Sequence, residues 1–458
     1  VSFSGRDFLA IAATSVGAFR RADPLIRFRQ SLAGTIVLPG DVDYDGARAV
    51  ASVNPRTDKR PRLIARCANA DDVARTIEFG RTQSLEIAVR AGGHDLLGAS
   101  TCDGGIVIDL SRMNVIHIDS ARRLARIESG ARSRDVNRAT EPHGLVAALG
   151  CHPAVGVAGL TLGGGLGWFL GRFGAACDNL VGAHVVTADA RRVRARADDL
   201  QLHPVGRVFG GLIAFRTDLG AFLRFHRDFL NAAPDGLVIE TSIVVADQPV
   251  ILCAVCWSGE PTTEGERVLE PLRAFGPPAA DAIGSVSYAH LTDRPDAAFW
   301  ARAFGSPPTG TPPSAPPFDY WKGGSLDELT DRAIEEIVGI MRTASRGMSM
   351  GLGHYIHGQI GRMSAGETPL LRTLGQLTYF FDANWRDGAR AEAEMAWVDT
   401  SWQRMQPHSS RGTYVNYLSR DDDEAVRATY RSNMRRLVGV KRRYDPSNVF
   451  HLNRNIRP

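Results

Sequence analysis

Two glycine-dense segments limit what this chain can fold into: Arg90-Ala91-Gly92-Gly93-His94-Asp95, and the stretch from Gly156 to Trp168. The second places Gly156, Gly159, Gly163, Gly164, Gly165 and Gly167 within a dozen residues. Such a stretch is no comfortable helix or strand interior, because glycine loses the most backbone freedom on ordering and brings no side chain to pack. It offers instead main-chain N–H groups that an anionic diphosphate can approach closely. The first segment follows a strand pattern, Glu86 to Arg90, so its turn is expected to act as an anion nest. The second does not spell the fingerprint G-x-G-x-x-G, since Trp168 and Leu170 stand where a third glycine is needed, which disfavours a nicotinamide-binding fold.

A chain of 458 residues is expected to divide into two domains. Its net charge of +4 is spread along the chain without a basic block, so no nucleic-acid partner is expected. No apolar run reaches membrane-spanning length. Cys67, Cys102, Cys151, Cys177, Cys253 and Cys256 are too scattered for a disulfide scaffold. Cys253-Ala-Val-Cys256 lies inside the apolar run Pro249 to Trp257 and reads as a pair of buried strand cysteines. The opening Phe3-Ser4-Gly5-Arg6-Asp7-Phe8-Leu9, followed by an alanine-rich stretch, resembles a twin-arginine export signal with Gly5 in place of the first arginine. Residues 1–27 are therefore expected to lie outside the fold, with cytoplasmic residence and export as open alternatives.

From Pro61 the pattern becomes regular. A strand at Leu63 to Ala65 leads to a helix opening at Asn69, with Asp71 and Asp72 in its first turn, and then to the strand entering the glycine loop. A second region starts near His203-Pro204, with strands at Gly236 to Val245 and Val250 to Trp257. The proline-rich passage Ser306 to Pro317 cannot be regular structure. A helical segment is expected from Leu326 to Met341, a strand from Thr413 to Leu418 and a helix from Glu424 to Arg443. His354-Tyr-Ile-His357 lacks a third ligand in sequence and reads as strand filling rather than a metal site.

The two glycine segments, together with Cys177-Asp178-Asn179-Leu180, Val185-Val-Thr-Ala-Asp189, Tyr414-Val-Asn-Tyr417 and Tyr444-Asp445-Pro446 through Asn453, resemble the berberine-bridge-enzyme-like FAD-linked oxidases. The likeness runs from about Phe28 to Pro458. It implies an α+β flavoprotein: an FAD-binding domain of the vanillyl-alcohol oxidase type over 28–205 and 411–458, and a substrate domain over 206–410 with an antiparallel sheet covered by helices.

On that resemblance the cofactor is FAD, held by Arg90, Ala91, Gly92, Gly93, His94 and Asp95 from the first loop. The second loop would supply Cys151, His152, Val155, Gly156, Val157, Gly159, Leu160, Gly163, Gly164, Gly165 and Gly167. Asp178, Asn179, Val185, Asn416 and Asn453 complete the implied set. The histidine matching His94 bonds covalently to the flavin. A cysteine that makes a second bond in some members is matched out of register: His152 takes its place and Cys151 stands one position early. Val155 matches a small residue that admits oxygen. A tyrosine of Tyr414-Val-Asn-Tyr417, either Tyr414 or Tyr417, would take a proton as hydride moves to the flavin. A phenol needs neighbouring cations or flavin contacts to do so at neutral pH. The implied partners are a small-molecule substrate, an alcohol, sugar hydroxyl or related C–H compound, and oxygen. Tyr320-Trp321-Lys322 resembles a short motif of the substrate domain. One departure is plain: between Arg196-Ala-Asp-Asp199 and Leu202-His-Pro-Val205 the family carries a further glycine run and strand that this chain lacks. The departure raises a catalytically impaired relative as an alternative, beside a flavin dehydrogenase.

Overall fold

Three sheets organise the chain. The first consists of β1 (Thr35–Val37), β2 (Leu63–Arg66), β3 (Ile87–Arg90) and β4 (Ile106–Asp109) in the order β1-β2-β4-β3, with β4 parallel to both neighbours. The second holds β5 (Ile116–Asp119), β6 (Leu124–Ile127), β7 (Leu145–Ala147), β8 (Leu180–Val186) and β9 (Arg192–Pro204), built around β9. The third is antiparallel and contains β10 (Val208–Phe215), β11 (Leu237–Val245), β12 (Pro249–Trp257), β13 (Ala280–Asp281), β14 (Gly284–Val286), β15 (Phe318–Leu326), β16 (Met348–Tyr355) and β17 (Leu377–Trp385). Its main path runs β13-β10-β12-β11-β16-β17-β15. This computed structural model describes residues 23–246, 248–291, 295–304, 318–364, 366–370, 375–419 and 423–458. The signal-like segment at 3–19 and the proline-rich passage after Ser306 lie outside the described residues.

The helix Ala70–Thr82 joins β2 to β3 and so aims the first glycine loop. Asn69 caps it, its side-chain oxygen accepting from the N–H groups of Asp71 and Asp72 at 3.0 Å. Asp72 does more than complement the helix dipole. Fully buried, its carboxylate accepts from the backbone of Ala33 at 2.9 Å, Gly34 at 2.8 Å and Ala68 at 2.9 Å, tying the chain before β1 to the helix.

The third sheet has two unlike faces. Leu377, Tyr379, Phe381, Ala383 and Trp385 of β17 are buried in alternation with half-buried Phe380, Asp382 and Asn384. The buried face packs under the helices Leu219–Asn231, Asp331–Met341 and Ala391–Met405, whose Phe222, Ile334, Ile337 and Val398 share its apolar core. The opposite face turns toward the glycine loops. Cys253 and Cys256 are buried on β12, as the apolar run implies. Three positions apart on a strand, they belong to different cores and cannot converge on one ligand.

Four local expectations need correction. The helix expected from Leu326 begins only at Asp331, because Leu326 closes β15 and Thr330 caps the helix by accepting from Ala333 N–H. The helix expected over Glu424 to Arg443 breaks into Asp423–Tyr430 and Met434–Tyr444. Arg431 at the break has φ +39°, and the Asn433 side chain is drawn to the carbonyls of Thr368 and Pro369. Tyr414-Val-Asn-Tyr417 is no strand: Val415–Tyr417 is a single 3₁₀ turn, touching β15 through one bridge from Leu418 to Gly323. Finally, the junction where the family's extra stretch is missing lies within one strand, although the β8–β9 register shifts across it between Arg196 and Leu200. β9 runs through it, pairing β8 over Arg192–Arg196, β6 at Leu200 and Gln201, and β7 over Leu202–Pro204.

Among the described residues no helix is long and apolar enough to cross a membrane. The C-terminal tail returns to the first two sheets. Val449 and Phe450 pack against the core of the first sheet, and Tyr444 O accepts from Ala188 N–H. Replacing Asp72 with Ala removes the buried acceptor of three backbone N–H groups, so Asp72→Ala is expected to cost about 3 kcal/mol of folding stability in a denaturant titration. A loss under about 0.5 kcal/mol, the range of an ordinary surface change, would show that these bonds do not hold the unit together.

Candidate active site where the two glycine loops meet

The two loops touch backbone to backbone. A Cβ on Gly92 would lie 2.3 Å from Gly156 N, and one on Gly156 would lie 2.4 Å from Gly92 N. No side chain fits at either position, which is the physical reason both are glycine. Gly93 follows at φ +71°, turning the chain so that His94 leaves the loop toward the second segment. A cavity of about 900 Å³ opens beside the contact, lined by Arg66, Arg90, Gly92, Gly93, Asp109 and Arg132 among others. Bare backbone at the junction with arginines around the cavity suits a dinucleotide diphosphate, so the residues present fit FAD.

His94 stands at one edge of this junction, with the His152 ring 5.6 Å away. Burial, then His152 and Arg132, pushes its imidazole down to about 4, leaving a neutral ring with a free nitrogen lone pair at physiological pH. Cys151 turns the other way. Its Sγ lies 3.6 Å from His354 Nε2, and burial followed by the Glu240 carboxylate pushes the thiol well above its usual value. His354 Nε2 is in turn 3.3 Å from Glu240 Oε1. Cys151, Glu240 and His354 thus converge from the second loop, β11 and β16, their ligand atoms all within 4.8 Å of one another. Burial lowers the His354 imidazole's pKa against the pull of Glu240. His354 is therefore no mere strand filling.

The tail supplies the next wall. Tyr414 is buried, and its hydroxyl accepts from the N–H groups of Gly165 at 3.0 Å and Leu166 at 3.3 Å, and from Asn416 Nδ2 at 2.7 Å. Asn416 also donates to Leu160 O, and its side chain lies where a Cβ on Gly163 would be. Both residues clamp the second glycine segment, and burial pushes the Tyr414 phenol up to about 12. Tyr417 reaches the open sheet face. Its ring stands edge-on to Trp321 at 5.3 Å, to Phe380 at 6.2 Å and to Tyr414 at 5.2 Å, with His354 at 6.3 Å. Among the described residues no cation acts on the Tyr417 phenol. Burial, Glu240, Tyr414 and Cys151 all push the Tyr417 phenol up.

Other expected residues are spent on architecture. Arg90 binds Asp109 at 2.7 Å and the Ala49 carbonyl. Asp95 pairs with Arg454, which also takes Asn453 Oδ1 and the Leu418 carbonyl, so Asp95 and Asn453 anchor the tail. Asp178 accepts from Ala175 N–H and Thr368, while Asn179 bonds the carbonyls of Phe173 and Ala175 and the ring of His203. Val185 lies half exposed on β8. Ala91 and Val157 flank the two touching glycines, Val155 precedes Gly156, and Gly159 and Gly167 sit on either side of the Asn416 clamp. Lys322 departs from a substrate-facing reading: it pairs with Asp399 of the covering helix at 2.8 Å and lies over Trp402, whereas Trp321, one residue earlier, faces the site.

Sequence reasoning missed Glu240 and Phe380. Glu240 carried one signal, a lone acid inside the apolar strand Leu237-Val-Ile-Glu-Thr-Ser-Ile-Val-Val. Nothing local marked its convergence with Cys151 and His354.

A family model described as FAD binding domain matches residues 61–196, and one described as berberine and berberine like matches 413–457. The (R)-6-hydroxynicotine oxidase of Paenarthrobacter nicotinovorans is 30% identical over 93% of this chain and 97% of its own length. The chain belongs to the berberine-bridge-enzyme-like FAD-linked oxidoreductases. An uncharacterized FAD-linked oxidoreductase of Bacillus subtilis, YgaK, is 26% identical over 94% of this chain and 98% of its own length. The crystal structure of 6-hydroxy-D-nicotine oxidase from Arthrobacter nicotinovorans superposes with a TM-score of 0.82 at 27% identity, covering 93% of this chain and 98% of that one. A BBE-like protein from Physcomitrella patens shares the fold, with a TM-score of 0.80 at 19% identity over 95% of this chain and 99% of that one. The chain is therefore an FAD-linked oxidoreductase with the α+β fold of this family.

The loop contact makes a direct prediction. Gly92→Ala drives a methyl group into the Gly156 backbone and is expected to cost about 3 kcal/mol and most of the bound flavin. The ratio of flavin to protein absorbance in the purified variant measures this, and an unchanged ratio would contradict the cradle.

Proposed function

We propose that this enzyme oxidises an alcohol, sugar hydroxyl or related C–H substrate with FAD linked covalently through His94, and passes the electrons to oxygen. Bound FAD supplies the hydride acceptor and, on reoxidation, yields hydrogen peroxide. The observation that carries the reading is the position of neutral His94 at the edge of the two-loop cradle, with Tyr417, Trp321 and Glu240 around the adjoining face. Single attachment is favoured over double, because Cys151 is engaged with Glu240 and His354 while His152 occupies the place beside His94. The buried thiol is also poorly ionised, and the thiolate is the reactive form.

The chain's residues then have separable tasks. Gly92 and Gly156 let backbone amides approach the cofactor, Tyr414 and Asn416 hold the second loop's shape, and Trp321, Phe380 and Tyr417 form an apolar corner for the substrate. Val155, small and next to the loop contact, supports oxygen rather than a protein electron carrier as acceptor. The continuation of β9 as one strand across the junction, with partners on both sides of a register shift, supports a working cradle over the impaired alternative.

Acid precipitation is the first test. The wild-type pellet is expected to stay yellow, and His94→Ala to release its flavin into the supernatant or purify without it. A peroxide assay over a panel of primary alcohols and reducing sugars then reports turnover. A colourless wild-type protein would sink the oxidase reading, and flavin reduction without peroxide would favour a dehydrogenase.

A further inference from the structure

The proton that leaves the substrate needs an acceptor, and Tyr417 is badly placed to be one. Among the described residues, the groups acting on its phenol are Glu240, Tyr414 and Cys151, none of them a cation, and its ring neighbours are Trp321, Phe380, His354 and Tyr414. A phenol so surrounded holds its proton tightly at neutral pH.

Glu240 is placed differently. It projects from the middle of β11 onto the half-buried sheet face, with about a quarter of its side chain exposed (28%). The groups that face it come from four parts of the chain: Cys151 and His152 from the second loop, Tyr288 from the turn Tyr288–His290, His354 from β16 and Tyr417 from the tail. Each is uncharged at neutral pH in these surroundings. Two of them hold the carboxylate: the Cys151 thiol hydrogen-bonds it, and His354 Nε2 lies 3.3 Å from Oε1. His354 Nδ1 has no partner among the described residues, which leaves the ring's ordering contact on the Glu240 side. Glu240 acts on His152, whose ring stands 5.6 Å from that of His94, so the carboxylate is one residue removed from the proposed flavin attachment.

We propose that Glu240 is the catalytic base of this site, with Cys151 and His354 as positioning residues that orient its carboxylate toward the substrate. The inference rests on the oxidase reading above. In the step assigned to it, the substrate O–H bond breaks and its proton passes to a Glu240 oxygen. The adjacent C–H bond breaks with its electron pair, which passes as hydride to oxidised FAD. The substrate gains a C=O double bond, and the flavin, the oxidant, takes up two electrons. Glu240 later returns its proton to solvent through its exposed side. A positioned carboxylate of this kind contributes roughly 10²–10⁴-fold to rate.

Two measurements on the holoenzyme test this, and one needs no substrate. Sulfite adds to oxidised flavin and is repelled by a nearby negative charge. Glu240→Gln, nearly isosteric, is expected to bind sulfite at least about tenfold more tightly than wild type at pH 8. Equal sulfite affinity at that pH would overturn the placement of Glu240 at the reacting face. Second, anaerobic flavin reduction by whichever alcohol or sugar scores in the peroxide assay is expected to slow by about 10²–10⁴-fold in Glu240→Gln. Flavin content should be unchanged, and Glu240→Asp should recover part of the rate. Tyr417→Phe is expected to slow reduction by less than about tenfold. The reverse ranking, with Tyr417→Phe the crippled variant, would overturn the proposal and return the base to the tyrosine. A protein without flavin would instead bring down the oxidase reading itself, so the two failures are distinguishable.

Discussion

The structure depends on two glycine backbones occupying the space where side chains would stand. Gly92 and Gly156 approach until any Cβ would overlap the opposite chain, and much of the architecture near the site maintains that approach. The helix Ala70–Thr82 fixes the direction of β3 and hence of the first loop. Arg90 is locked to Asp109 and to the Ala49 carbonyl. On the other side Tyr414 and Asn416 grip Gly165, Leu166 and Leu160. The Arg454 guanidinium, pinned by Asp95, draws the chain terminus over the first loop. Strand, helix, tail and terminus thus converge on a contact that contains no side chain.

The third sheet completes the site through its alternation. One face is committed to the helices, so the other is free to carry Trp321 and Phe380 to Tyr417 and Glu240 to Cys151 and His354. A one-residue shift in β15 would exchange Trp321 for Lys322 and put a cation where an aromatic ring stands. That cation is instead neutralised by Asp399 beneath the sheet. The resulting face is acidic and aromatic, the environment in which a carboxylate rather than a phenol can accept a proton.

Some of this was legible in the residues. Glycine density cannot serve a packed interior, so the two loops pointed to a ligand grip, and the apolar run around Cys253 and Cys256 pointed to buried strand cysteines. The helix opening at Asn69 was also plain from its cap and acids. Where reading failed, non-local forces decided. The tail motif looked like a strand because tyrosine and valine favour one, but two of its side chains are consumed in clamping the glycine segment, and the backbone turns to deliver them. The helix after Glu424 breaks where Asn433 finds carbonyls on a distant loop. The side of the sheet that Lys322 takes was not readable from its aromatic neighbours, because strand register decides it. Glu240 was invisible because its meaning lies in partners from β16 and the second loop, far away in the chain.

What His94 carries decides the chemistry of this site. Peptide mass spectrometry of the proteolysed holoenzyme is the most direct measurement. The peptide containing His94 is expected to bear the added mass of a flavin nucleotide, with the peptide containing Cys151 unmodified. Flavin mass on the Cys151 peptide, or an unmodified His94 peptide from protein that still binds FAD, would contradict the single tether at the edge of the cradle.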